Sequence, residues 1–156
     1  MNTSAIRNFQ IRRVVTLSIL VMASADLYAA QTLSLSLTGA SEVPPVTTSA
    51  TGTAQFTMQT DHQVSGSIKT SGIATTVAHI HEATTGPNGP PIITLTKTAN
   101  DGFEVPTDTR LTDAQYASLL AGKLYVNVHS AAHPDGEIRA PLLPATATTD
   151  KQASQP

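Results

Sequence analysis

The chain contains no cysteine. Disulfides and thiolate metal sites are therefore excluded, and the fold has to be held by its apolar core or by a bound metal. Basic residues are scarce: nine lysines and arginines stand against eleven acidic residues, for a formal net charge of −2. So thin a positive charge leaves no electrostatic footprint for nucleic acid and no polybasic patch for an anionic membrane. Beyond one short apolar run near the N-terminus, no stretch is long enough to read as a membrane-spanning helix. Catalytic signatures are missing too. There is no Gly-x-Ser-x-Gly elbow, no phosphate-binding loop and no dinucleotide fingerprint, and no nucleophile stands beside a base with an identifiable orienting acid.

What is present begins with a leader. Arg7, Arg12 and Arg13 precede an apolar run from Val14 to Ala23, too short to span a bilayer but with the charge order and length of a secretory signal. Small residues permit cleavage after Ala25 or after Ala29, and the strand pattern begins just beyond the second. Residues 1–29 are thus read as a signal peptide and the protein as periplasmic or secreted. Its removal leaves 127 of the 156 residues, enough for one domain with a respectable core. Three of the nine basic residues and Asp26 leave with it, so the net charge becomes −4. No cysteine follows the apolar run, so no lipid anchor and no membrane attachment is expected.

Residues 30–143 read as a single domain built from short strands. Leu33, Leu35 and Leu37 alternate with Thr32, Ser34, Ser36 and Thr38, and Ala54, Phe56 and Met58 alternate with Thr53, Gln55 and Thr57. A period of two is that of a strand with one buried face. Residues 64–70, 76–82, 92–97 and 123–130 continue the series. Gly86-Pro87-Asn88-Gly89-Pro90-Pro91 forces a loop, and Val43-Pro44-Pro45-Val46 is unfit for a central strand because proline donates nothing to the ladder. The pattern predicts an all-β antiparallel sandwich or barrel. One short helix is signalled: Thr112 and Gln115 fit a capping box, residues 114–121 contain good helix formers, and Gly122 sits where a left-handed C-terminal cap belongs. Residues 144–156 are small, polar and proline-bounded, and read as a disordered tail.

The chemistry lies in the histidines. In Val77-Ala78-His79-Ile80-His81 a strand sends Ala78 and Ile80 to a core and both imidazoles to the opposite face. Tyr125, Asn127 and His129 take the same side of their strand, opposite Leu124, Val126 and Val128. Three imidazoles are therefore expected together on one outer surface. Neutral imidazole suits copper(II), zinc and nickel, with the affinity order peaking at copper, whereas soft-ligand copper(I) handling is disfavoured by a domain whose one thioether, Met58, points inward. A fourth ligand would come from water or from His133, which the turn Ser130-Ala131-Ala132-His133-Pro134-Asp135-Gly136 can fold back toward His129. Glu82 or Asp135 would be available to orient an imidazole. His62, beside Asp61 in a turn, reads as a bystander. Glu137 and Arg139 share the histidine face of the last strand, where arginine either organises a loop or holds a carboxylate or small anion near the imidazoles.

Three stretches, LTGASEVPPVTTSATGTAQF, AHIHEATTGPNGPPIITL and LTDAQYASLLAGKLYVNVHSAAHPDGEIRAPL, resemble in that order the chordin-type (CHRD) domain, from about Leu33 to Leu143. The resemblance implies an immunoglobulin-like β-sandwich, found in bacterial exported proteins and in the growth-factor antagonist chordin. It also implies a distant likeness to the copper/zinc superoxide dismutases, whose copper site likewise begins with a His-x-His pair. His79, His81, His129, Glu137 and Arg139 fall on family motif positions. Three readings follow. The first is a copper- or zinc-binding module of the cell envelope on His79, His81, His129 and His133, with the metal ion as its partner. The second is an interaction domain for another envelope or extracellular protein. The third, a dismutase-like enzyme, lacks the disulfide and the histidine- and aspartate-rich zinc loop of those enzymes, so the pattern favours a binding module over a catalyst.

Overall fold

The computed structural model describes residues 30–144 apart from Thr84 and Asn100. The expected leader, and the expected tail from residue 145 onward, lie outside the described residues. The first two strands, β1 (Gln31–Thr38) and β2 (Thr51–Met58), pair antiparallel in unbroken register from Gln31↔Met58 to Thr38↔Thr51. That register sets Leu33 against Phe56 and Leu35 against Ala54, so the two apolar faces coincide, as the period of two requires. β3 (Val64–Ser71) adds to β2 with Ala54 opposite Ile68.

The second layer is built on β4 (Thr75–Glu82), flanked by β5 (Pro91–Thr94) and by β8 (Leu124–Ser130), with β9 (Ile138–Pro141) beyond. Its inner face supplies Ala78, Ile80, Val126, Val128, Ile138 and Ala140, which pack with Leu33, Leu37, Phe56, Ile68 and Phe103 in one core. Phe56 and Phe103 are essentially inaccessible, and truncation of either to alanine would cost about 3–5 kcal/mol. Met58 is buried as expected.

The two sheets join at both sides. β9 and β1 meet at Thr38↔Arg139. Opposite, residues 92–97, which the sequence presents as one strand, bend at Leu95: β5 pairs with β4, while β6 (Thr96–Lys97) pairs with β7 (Gly102–Glu104) at the edge of the first sheet. At the bend the Leu95 amide donates to the Ala78 carbonyl at 2.9 Å. The result is a nearly closed antiparallel barrel, the all-β sandwich or barrel that the sequence pattern predicts. β7 itself has no legible alternation, being three residues long and headed by a glycine.

The helix α1 (Asp113–Leu120) carries both bonds of the capping box, Gln115 N–H to Thr112 Oγ1 at 3.2 Å and Thr112 N–H to Gln115 Oε1 at 2.9 Å. Gly122 follows at φ +69°, the left-handed conformation that ends a helix without a Cβ clash. Leu119 and Leu124 bury the helix and the strand it delivers against the open end of the core.

One expectation is corrected. The histidine face of β8 is not an outer surface: all seven of its residues are buried. Segments around residues 42–44, 86–90 and 133–136 fold over it and brace one another, for example through Asn88 Nδ2, which donates to the Val43 carbonyl at 2.8 Å. Alternation along a strand reports which residues share a face. It carries no information about irregular, proline-rich segments that later cover that face.

Candidate metal centre

Strand pairing places the three histidines. β4 and β8 run antiparallel with His79 opposite Asn127 and His81 opposite Tyr125, so His79, His81 and His129 fall on one face of adjacent strands. One nitrogen from each lies within 4.8 Å of the other two. An ion held at 2.0–2.1 Å needs ligand nitrogens about 2.9–4.2 Å apart, from right-angled to opposed, so the trio comes to a common ion with closure of about 1–2 Å. His79 Nδ1 already stands 3.1 Å from His129 Nε2.

The proton positions are set by backbone carbonyls. His81 Nδ1 is 2.8 Å from the Gly89 carbonyl, and His129 Nδ1 is 2.8 Å from the Pro134 carbonyl. A carbonyl oxygen only accepts, so Nδ1 carries the hydrogen in both rings and His81 Nε2 presents its lone pair to the shared space, while His129 Nε2 stands 3.0 Å from Asn127 Oδ1. This is the support that metal-ligating histidines use. Glu82, one of the carboxylates considered for that role from sequence, instead accepts a hydrogen bond from Ser118 Oγ. Asp135 lines the adjoining cavity.

His81 is clamped on its faces as well. Its ring stacks on Tyr125 at 4.8 Å and 9°, and the Arg139 guanidinium lies 3.3 Å from the centroid of the same tyrosine ring. Arg139 also donates to Asn88 Oδ1 at 2.8 Å and to the Pro87 carbonyl at 2.7 Å. It thereby fixes the loop that brings Gly89 to His81. Gly89 is required there, because a Cβ at that position would collide with the Glu82 carbonyl. Arginine thus organises a loop, one of the two roles open to it from sequence. Glu137 is buried and accepts from Thr48 Oγ1 at 2.7 Å.

Burial pushes the pKa of His79 and of His81 below the usual 6.5, aided at His79 by the neighbouring imidazoles and opposed at His81 by the bond to Gly89. Rings kept neutral are rings with lone pairs free for an ion.

Over residues 33–142 the sequence matches the CHRD domain family. The chain belongs to that family. No curated protein and no solved structure matches it. Within this CHRD domain, His133 lies in the turn after β8, where its carbonyl accepts from the Ser130 and Gly136 amides, and its ring is outside the group of three. His62 stacks on Tyr116 at 4.1 Å and approaches Asp113, tying a turn to α1.

Sequence reasoning missed Glu42. It is 6% exposed, and burial raises its pKa above the usual value against the pull of Arg139 and Asn127. With His81, Tyr125, Asn127 and Asp135 it lines a cavity of about 310 Å³ beside the histidines. A polar residue in a proline-rich loop of the CHRD domain gives no periodic signal that would mark it as buried.

Proposed function

We propose that this CHRD domain is a divalent-metal-binding module of the cell envelope or extracellular space that takes copper(II) or zinc on His79, His81 and His129. The observation that carries the reading is His81 Nε2: a buried lone pair with no partner among the described residues, beside two more imidazole nitrogens. An unpaired buried acceptor is costly, and an ion shared between this nitrogen and the two beside it removes that cost. Imidazole suits copper(II), zinc and nickel, and the divalent affinity order peaks at copper. The envelope setting rests on the leader-like Arg7 to Ala23 segment, and water or His133 would complete the coordination. Bound there, the ion would be captured or buffered.

Isothermal titration with copper(II) and with zinc tests this. A tight one-to-one site is expected. His79→Ala and His81→Ala should weaken it by more than the roughly 10–100-fold that loss of a supporting group costs, while thermal melts confirm that both variants fold. Absence of binding by either metal ends the reading.

A further inference from the structure

Among the described residues two buried side-chain atoms lack a hydrogen-bond partner, Glu42 Oε1 and His81 Nε2. Both residues are more than nine-tenths buried, and both line the same cavity of about 310 Å³. A single orphaned atom is expensive; an ion on the histidines satisfies His81 Nε2 and leaves Glu42 Oε1 in need of a donor. The loop leaves room for the carboxyl. A Cβ on Gly136 would come within 2.6 Å of Glu42 Oε1 and 2.7 Å of Asn127 Nδ2.

The lining selects the ligand. His81 Nδ1 gives its hydrogen to Gly89, so the imidazole brings this cavity no donor for that oxygen. Glu42 offers an acceptor oxygen, and Asp135 adds a carboxylate. No lysine or arginine is among the lining residues; Arg139 stacks on Tyr125 and is engaged by Asn88 and Pro87, so an entering anion meets the carboxyl groups of Glu42 and Asp135 first. At about 30 Å³ per water molecule, the space admits a molecule of several non-hydrogen atoms.

On the metal-centre reading above, we propose that this cavity is an open coordination position for a small neutral nitrogen base of the amine or imidazole class. The base turns its lone pair to an ion on the three histidines and donates its N–H to Glu42 Oε1. Glu42 is then a positioning residue for the incoming base and not a ligand of the ion, in keeping with its place outside the group of three.

The test uses the full chain loaded with copper(II), titrated with imidazole and separately with azide, and followed by electron paramagnetic resonance and visible absorption. Imidazole should bind the wild type about tenfold more tightly than azide. Glu42→Ala should lower imidazole affinity about tenfold, the weight of one charge-assisted hydrogen bond, and leave copper affinity within about threefold by calorimetry. Glu42→Gln keeps an acceptor oxygen in nearly the same volume and should lose less. Equal imidazole affinity in the wild type and Glu42→Ala, or azide binding as well as imidazole, overturns the proposal. A wild type that takes copper but shows no spectral response to imidazole overturns it alone. One that takes no copper overturns the metal-centre reading and this proposal together.

Discussion

Gly136 holds φ +130° where a methyl group would press on Glu42 and Asn127. Gly136→Ala is expected to lower the unfolding free energy by about 2–3 kcal/mol. Gly86→Ala makes the comparison, with φ +81° but open space around the new methyl; it should cost only about 1 kcal/mol. Urea denaturation of the two variants separates backbone strain from crowding at the cavity. Glu42 gives a second expectation, with a definite sign. Because burial raises its pKa above the usual 4.5, the folded protein keeps this proton at a pH where the unfolded chain has already released it. Metal-free protein therefore loses stability as pH rises from 4.5 through the folded value. Glu42→Gln removes that loss, and its metal-free form should melt higher than the wild type at neutral pH; an unchanged or lower melting temperature contradicts the assignment. A carboxyl that costs the fold stability is the kind of residue kept for what it binds.

Between strands and loops, Arg139 is the joint. Its guanidinium stacks on Tyr125 and forks to Pro87 and Asn88, a planar arrangement that an ammonium does not reproduce. Arg139→Lys should leave the barrel folded but loosen the loop that carries Gly89, weakening metal binding about 10-fold or more by titration calorimetry. Retained affinity would show that Gly89 is held without it. The same elements mark what could be read from the sequence. Leu33 to Leu37, Ala54 to Met58 and the His-x-His strand declare their faces by alternation, and Thr112 with Gln115 declares the helix start, because these signals are local and periodic. The trio His79, His81 and His129 was legible for the same reason. Its burial was not: that depends on segments 42–44, 86–90 and 133–136, whose paths are set by prolines, glycines and long-range bonds such as Asn88 to Val43. Nor were the supporting acceptors, since Gly89 and Pro134 act through backbone carbonyls that every residue possesses.

For the molecule as a whole, the depressed pKa values of His79 and His81 set an acid limit. Below pH 6.5 the unfolded chain takes up protons that the folded one resists, so metal-free stability falls as pH drops from 6.5 toward the folded values and is unaffected by these groups above it. The urea midpoint, taken in the Glu42→Gln background to remove the opposing carboxyl, should be lower at pH 5.5 than at pH 7.5. A flat profile refutes the shifts. Under the proposed function, metal at 100 times its dissociation constant should add about 2.7 kcal/mol at neutral pH and progressively less in acid, as protons compete for the same nitrogens. The bend at Leu95 has a further consequence. Because one continuous segment completes both sheets, dislodging it bares two rows of unpaired amides and carbonyls at once, on β4 and on β7. Such rows recruit neighbouring chains, so a polar substitution at Leu95 would betray itself as self-association in a sedimentation run before any loss of the histidine cluster was felt.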